Sequence, residues 1–261
     1  MNSQSSCSMR KLGSEFRNGK DMLRIQPFPS GGRLGKNLSL PLPVLIDHLR
    51  MQQDRVYSYV VGTVKRNRTT NGFEQHGSAP NFQGDVLTLC TCKHQMRAGR
   101  SCDDWKGVWL AGFTSRTIHE DKHWLFYLAR IELTFESHAD LWPKLNAHSR
   151  KAKSANENFL GDVFKPTTPI PTGDARFDPD HYQRPEFHTH SWHVKNGMHD
   201  GWHNDIAYRH AKRYGHPALL MADPLLTFIW DKPMIYLHQK HARNYRKWDY
   251  LTELMETLKE N

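Results

Sequence analysis

Only four cysteines occur in the 261 residues, too few over such a length for a disulfide-stapled secreted scaffold, and three of them crowd into Cys90, Cys92 and Cys102. No run approaches the ~18 apolar residues that a membrane helix needs. Met1 to Asp21 carries charges and serines where a secretory leader would have an apolar stretch. A reducing, cytoplasmic setting is the expectation. No internal repeat is visible either.

What the chain does have is positive charge. Lys and Arg number 36 against 27 Asp and Glu, and the isoelectric point near 9.4 suits a polyanionic partner such as nucleic acid, or serves solubility alone. Eight tryptophans offer rings for stacking, although most such rings are expected in the core. Residues 1–39 are rich in Ser, Gly, Arg and Lys without sustained periodicity and read as a mobile basic arm. Residues 40–261 read as a single domain. Pro41 and Pro43 precede a short helix. Val56 to Val64 is the first strand, followed by a long polar loop from Lys65 to Gln83. Three β-prone runs follow, Val86 to Cys92, Val108 to Phe113 and Trp124 to Leu133, read as consecutive strands of one sheet. Trp248, Leu251, Leu254, Met255 and Leu258 recur at helical spacing, which predicts an amphipathic C-terminal helix over Tyr245 to Lys259.

Several polar groups are candidates for chemistry. If the first two runs pair antiparallel, Asn81, Lys93, Arg97, Trp109 and Ser115 meet in one mouth. A flipped or single-stranded base would stack on Trp109 or Trp105, with Phe82 alongside, while Asn81 reads an edge and Lys93 or Arg97 holds phosphate. The bland alternative puts Trp109 in the core and Asn81 in an Asx turn. Cys92 beside Lys93 and Arg97 is a candidate nucleophile, and Asp174, after Gly173, a candidate general base; Asp162, after Gly161, reads as a plain turn residue. Cys90, Cys92 and Cys102 read better as small buried hydrophobes than as zinc ligands. The stretch from His188 to His210 is dense in histidine. His188, His190 and His193 would supply nitrogen ligands should a divalent metal be the cofactor, yet this stretch lacks a fixed ligand-pair motif.

A resemblance bears on the same region. Ala79, Pro80, Asn81 and Phe82 with Gly84, then Thr88, Leu89, Cys92, Lys93 and Arg97, then Trp109, Gly112 and Ser115, resemble the nucleotide modification associated domain family, type two, of bacteria and phages. His94 stands where that family reads Pro, and Ala175 where it reads Asn. The resemblance implies association with base modification, or its recognition, in phage–host conflict, with nucleic acid or nucleotide and the proteins of a modification or defence system as partners. The fold expected is α+β: a strongly bent antiparallel sheet or small barrel with peripheral helices, similar to PUA-like barrels. Two functions stand side by side. One is a reader of a modified or flipped base; the other is an enzyme acting on a nucleobase or nucleotide, with Cys92, Lys93 and Asp174 as its chemical groups.

Overall fold

The computed structural model describes residues 25–29, 31–116, 122–185, 201–241 and 244–261. In chain order the helices are α1 (Gly32–Gly35), α2 (Leu42–Leu49), α3 (His94–Arg97), α4 (Cys102–Trp105), α5 (His138–Leu141), α6 (Ala147–Lys153), α7 (His203–Ala207) and α8 (Leu251–Met255). The strands are β1 (Val56–Val61), β2 (Val64–Arg66), β3 (Phe73–Gln75), β4 (Thr88–Leu89), β5 (Trp109–Thr114), β6 (His123–Phe135), β7 (Leu219–Ile229), β8 (Ile235–Leu237), β9 (Arg246–Trp248) and β10 (Leu258–Glu260). The fold is mixed α+β, built on a strongly curled, half-barrel sheet with few and short helices.

The sheet runs in the order β10-β8-β6-β5-β1-β9, with β7 also on β6 and β4 on β7. Its axis is β6, which is long enough to pair with β5 on one edge and with β8 and then β7 on the other. Register shifts interrupt both the β5/β6 and the β6/β7 ladders, and such irregularities bend a sheet by raising its local twist. The sheet is not wholly antiparallel as expected, because β1 and β5 run parallel from Val56↔Trp109 to Val61↔Thr114. That pair is apolar without alternation because both faces are covered. Trp109, Ala111 and Phe113 enter one core with Leu45 and Leu49 of α2, while Leu110 enters the other with Tyr57, Tyr59 and Trp105.

Local chemistry explains where the strands stop. The Val86 to Cys92 run forms only two residues of strand, paired with β7 and not with β5. The carbonyls of Cys90 and Cys92 accept from the Arg97 guanidinium instead of continuing a ladder. The expected C-terminal helix is cut to the five residues of α8. Arg246–Trp248 pairs with the open edge of β1 and Leu258–Glu260 with β8, and strand pairing outweighs helical spacing there. Trp248, Leu251, Leu254, Met255 and Leu258 are buried all the same. Residues 25–29 and 31–39, expected to belong to the basic arm, dock on the domain; 1–24 lie outside the described residues. Gln26 is buried, its side-chain amide donating to the Pro80 carbonyl and accepting from the Phe82 N–H; Leu34 enters the core, and the Ser39 N–H donates to the Ile229 carbonyl at 2.6 Å.

Gly112 lies opposite Tyr127 in the β5/β6 ladder, and a Cβ there would fall 2.1 Å from a Tyr127 ring carbon. Tyr127 crosses this gap to donate to the Tyr59 hydroxyl at 2.5 Å. Gly112→Ala forces the ring aside and is expected to cost ~1–3 kcal/mol, the range for overpacking a filled core. A urea-unfolding midpoint equal to that of the parent chain would contradict this packing.

Candidate functional site

The side chains singled out in the sequence are not gathered in one mouth. Trp109 is fully buried on the α2 face of the sheet, stacked on Phe228 with 6.3 Å between ring centroids. Trp105 is buried on the opposite face, its ring 4.7 Å from that of Tyr57 and its indole N–H donating to the Arg97 carbonyl at 2.9 Å. Phe82 is buried against Phe28. The two indoles are therefore core elements, not stacking platforms, because the parallel pairing of β1 and β5 leaves β5 covered on both sides. Ser115 is half-buried just beyond β5. Asp174 is exposed in the 3-10 turn Gly173–Phe177, which packs on α5. His188, His190 and His193 lie outside the described residues.

Arg97 is a clamp, not a phosphate ligand. Its guanidinium is wholly buried and donates to the carbonyls of Cys92 (2.7 Å), Cys90 (2.8 Å), Ala218 (2.7 Å) and Pro217 (3.3 Å). The planar fork thus joins the chain after β4 to the chain before β7. Arg97→Met leaves several buried carbonyls without donors, at ~1–3 kcal/mol each, and Arg97→Lys lacks the fork that reaches both segments. Both variants are expected to lower the urea midpoint strongly; an unchanged midpoint for either would contradict the clamp.

Asn81 belongs to a second buried polar group. Its backbone pairs with Thr88 in both directions at 2.8 Å, and its side chain donates to the Leu160 carbonyl and accepts from the Gln83 N–H, both at 3.0 Å. The Lys153 ammonium donates to the Asn81 Oδ1 (3.1 Å), the Asn81 carbonyl (2.9 Å) and Thr88 Oγ1 (3.0 Å). Thr88 Oγ1 in turn donates to the Asp162 carboxylate at 2.9 Å. All four side chains are fully buried. Burial lowers the Lys153 pKa to about 8 and raises that of Asp162 to about 6, each opposed by the charge of the other. Asp162 reaches this place because Gly161 passes so close to Ser154 and Ala155 that a Cβ would fall 2.5 Å from their backbone. Asp162 reads in the sequence as a turn residue and Lys153 is not singled out there; neither carries a local signal.

The surface that remains is basic and bears tyrosines. Lys93 has φ +60, a left-handed conformation uncommon outside glycine. Its Nζ donates to the Asn244 carbonyl at 3.3 Å and lies 5.2 Å from the Tyr59 ring centroid. Tyr57 stacks on the half-buried Tyr245 at 5.9 Å, with Lys247 5.5 Å and Arg100 6.0 Å from the Tyr57 ring. Arg213 donates to the Gln95 carbonyl and to the Tyr245 hydroxyl at 3.4 Å. An adjoining open cleft of about 490 Å³ is lined by Arg209, His210, Arg213 and Tyr214, the last 62% exposed. The cleft segment is anchored through α7, where the buried Asp205 lies 3.0 Å from His94, itself stacked on Tyr208.

Among the described residues no group of three or more His, Cys, Asp or Glu is placed to hold a metal ion. The string from His119 to His123 has H-E-x-x-H spacing that the sequence reading overlooked. His123, however, opens strand β6 with Nδ1 2.8 Å from the Thr114 carbonyl, whereas that motif sets both imidazoles on one helical face; 119–121 lie outside the described residues. No helix is long and apolar enough to cross a membrane, among the described residues. Against known proteins, no family model, no curated protein and no solved structure matches the chain.

Proposed function

We propose that the protein binds single-stranded or locally opened nucleic acid on the face formed by Lys93, Arg100, Arg213, Tyr245 and Lys247 and the cleft of Arg209 and Tyr214. The observation that carries this reading is the gathering of three cationic side chains, Arg100, Arg213 and Lys247, around the stack of buried Tyr57 on Tyr245, with Lys93 over Tyr59 and an exposed tyrosine in a basic cleft alongside. Cations tracking a backbone next to aromatic rings on which bases stack is how single strands are held without a sequence code. Base recognition moves with this reading from Trp109 to Tyr214 and Tyr245. The resemblance around Asn81 to Ser115 supplies the setting we propose, base modification or defence against phage. A PUA-like barrel, expected from the strand order, stays a proposed analogy of fold for the curled sheet, and such an analogy alone fixes no function. An enzymatic reading would rest on Cys92 and Lys93, half-buried at the edge of this face, without Asp174.

Fluorescence anisotropy with a labelled single-stranded oligonucleotide across a salt series tests the proposal. Log affinity is expected to fall linearly with log salt, and each of Arg213→Ala and Lys247→Ala to reduce the slope by ~0.7 if its cation meets a phosphate. Tyr214→Ala is expected to weaken binding by ~1–3 kcal/mol if a base stacks there. Binding indifferent to salt, or unaffected by all three substitutions, would overturn the assignment of this face.

A further inference from the structure

Independently of nucleic acid, the buried group around Lys153 has the parts of a self-modifying site. We propose that Lys153 and Asn81 join through an intramolecular isopeptide bond, Lys153 Nζ to Asn81 Cγ, formed within the folded chain and assisted by Thr88 and Asp162. The two partners already meet across 72 residues of sequence: Nζ donates at 3.1 Å to Asn81 Oδ1, the oxygen bonded to the electrophilic Cγ. Attack requires the nitrogen within ~3–3.5 Å of Cγ, which a deprotonated Nζ reaches by sliding from Oδ1 to the carbon one bond away. The Asn81 amide is fixed at both ends, by the Leu160 carbonyl on Nδ2 and by the Gln83 N–H on Oδ1. That N–H is also placed to stabilise negative charge developing on Oδ1.

A route for the proton is present. Thr88 Oγ1 accepts from Nζ at 3.0 Å and donates to Asp162 at 2.9 Å. By passing its own proton to the carboxylate and taking one from Nζ, it leaves a neutral amine and a carboxylic acid. Burial favours both neutral forms, pulling Lys153 down to about 8 and pushing Asp162 up to about 6. The amine lone pair then attacks Cγ, the carbonyl pair moves onto Oδ1, and the adduct collapses as the Cγ–Nδ2 bond breaks. The departing nitrogen takes a proton from the former ammonium nitrogen and, as it leaves, the one held by Asp162. In sum, one ammonium and one carboxamide give a secondary amide and an ammonium ion. No oxidant or co-reactant is consumed. Desolvated lysines are known nucleophiles in general, and water is excluded here because all four side chains are fully buried.

The test is the intact mass of the purified, denatured full-length chain, followed by peptide sequencing after proteolysis. The expected result is a chain lighter than its sequence by one ammonia, with the peptides holding Asn81 and Lys153 recovered as one cross-linked species. Lys153→Arg, Asn81→Ala and Asp162→Asn are each expected to show full sequence mass and separate peptides. A parent chain of full mass would overturn the proposal. So would an ammonia loss retained on a linear Asn81 peptide, which is succinimide formation, or a loss of water, which would make Asp162 the acceptor. Since the parent chain alone decides the matter, a variant that fails to fold does not weaken the test.

Discussion

The buried guanidinium of Arg97 is the constraint on which much of this arrangement depends. It is a full charge taken out of water and held by four backbone carbonyls, which is tolerable because each of its three nitrogens donates to an acceptor. By claiming the Cys90 and Cys92 carbonyls it ends β4 and turns the chain into the left-handed residue Lys93 and helix α3. By claiming the Pro217 and Ala218 carbonyls it fixes where β7 begins. Its own carbonyl anchors Trp105. The basic face is thus an outer layer set on this clamp: Lys93 precedes α3, Gln95 within it receives Arg213, and Arg100 follows it.

The second polar group, around Lys153 and Asp162, is placed by similar means. Backbone pairing sets Asn81 beside Thr88, and the N–H groups of Asp162 and Val163 both donate to the Lys153 carbonyl. Two oppositely charged residues, remote from Asn81 and Thr88 in sequence, therefore meet them in one dry compartment. Buried charges of this kind contribute less to net stability than their contacts suggest, because desolvation offsets much of the attraction.

The strands at Val56, Val108 and Trp124 and the short helix near Pro43 were legible because β-branched, aromatic and proline signals are local, although that helix begins at Leu42, ahead of the second proline. The apolar positions of the C-terminal segment were legible as buried, but not their conformation, since the open edges of β1 and β8 that capture them belong to distant parts of the chain. Parallel pairing of β1 with β5 was not legible, and that one relation moved Trp109 from the imagined mouth into the core. The residues carrying the family resemblance, Asn81, Thr88, Arg97 and Gly112, have visible structural duties in hydrogen bonding and packing. Asp205 beneath His94, and Lys153 with Asp162, could not be found from spacing, because each acquires its meaning from a partner many residues away.

The central functional claim is that ligand contacts the layer built outward from Arg97. Hydrogen–deuterium exchange with and without a single-stranded oligonucleotide at low salt addresses it most directly. Protection concentrated at 93–100, 209–215 and 244–247 is the predicted result. Tight binding that leaves those three segments unprotected while others slow their exchange would contradict the account.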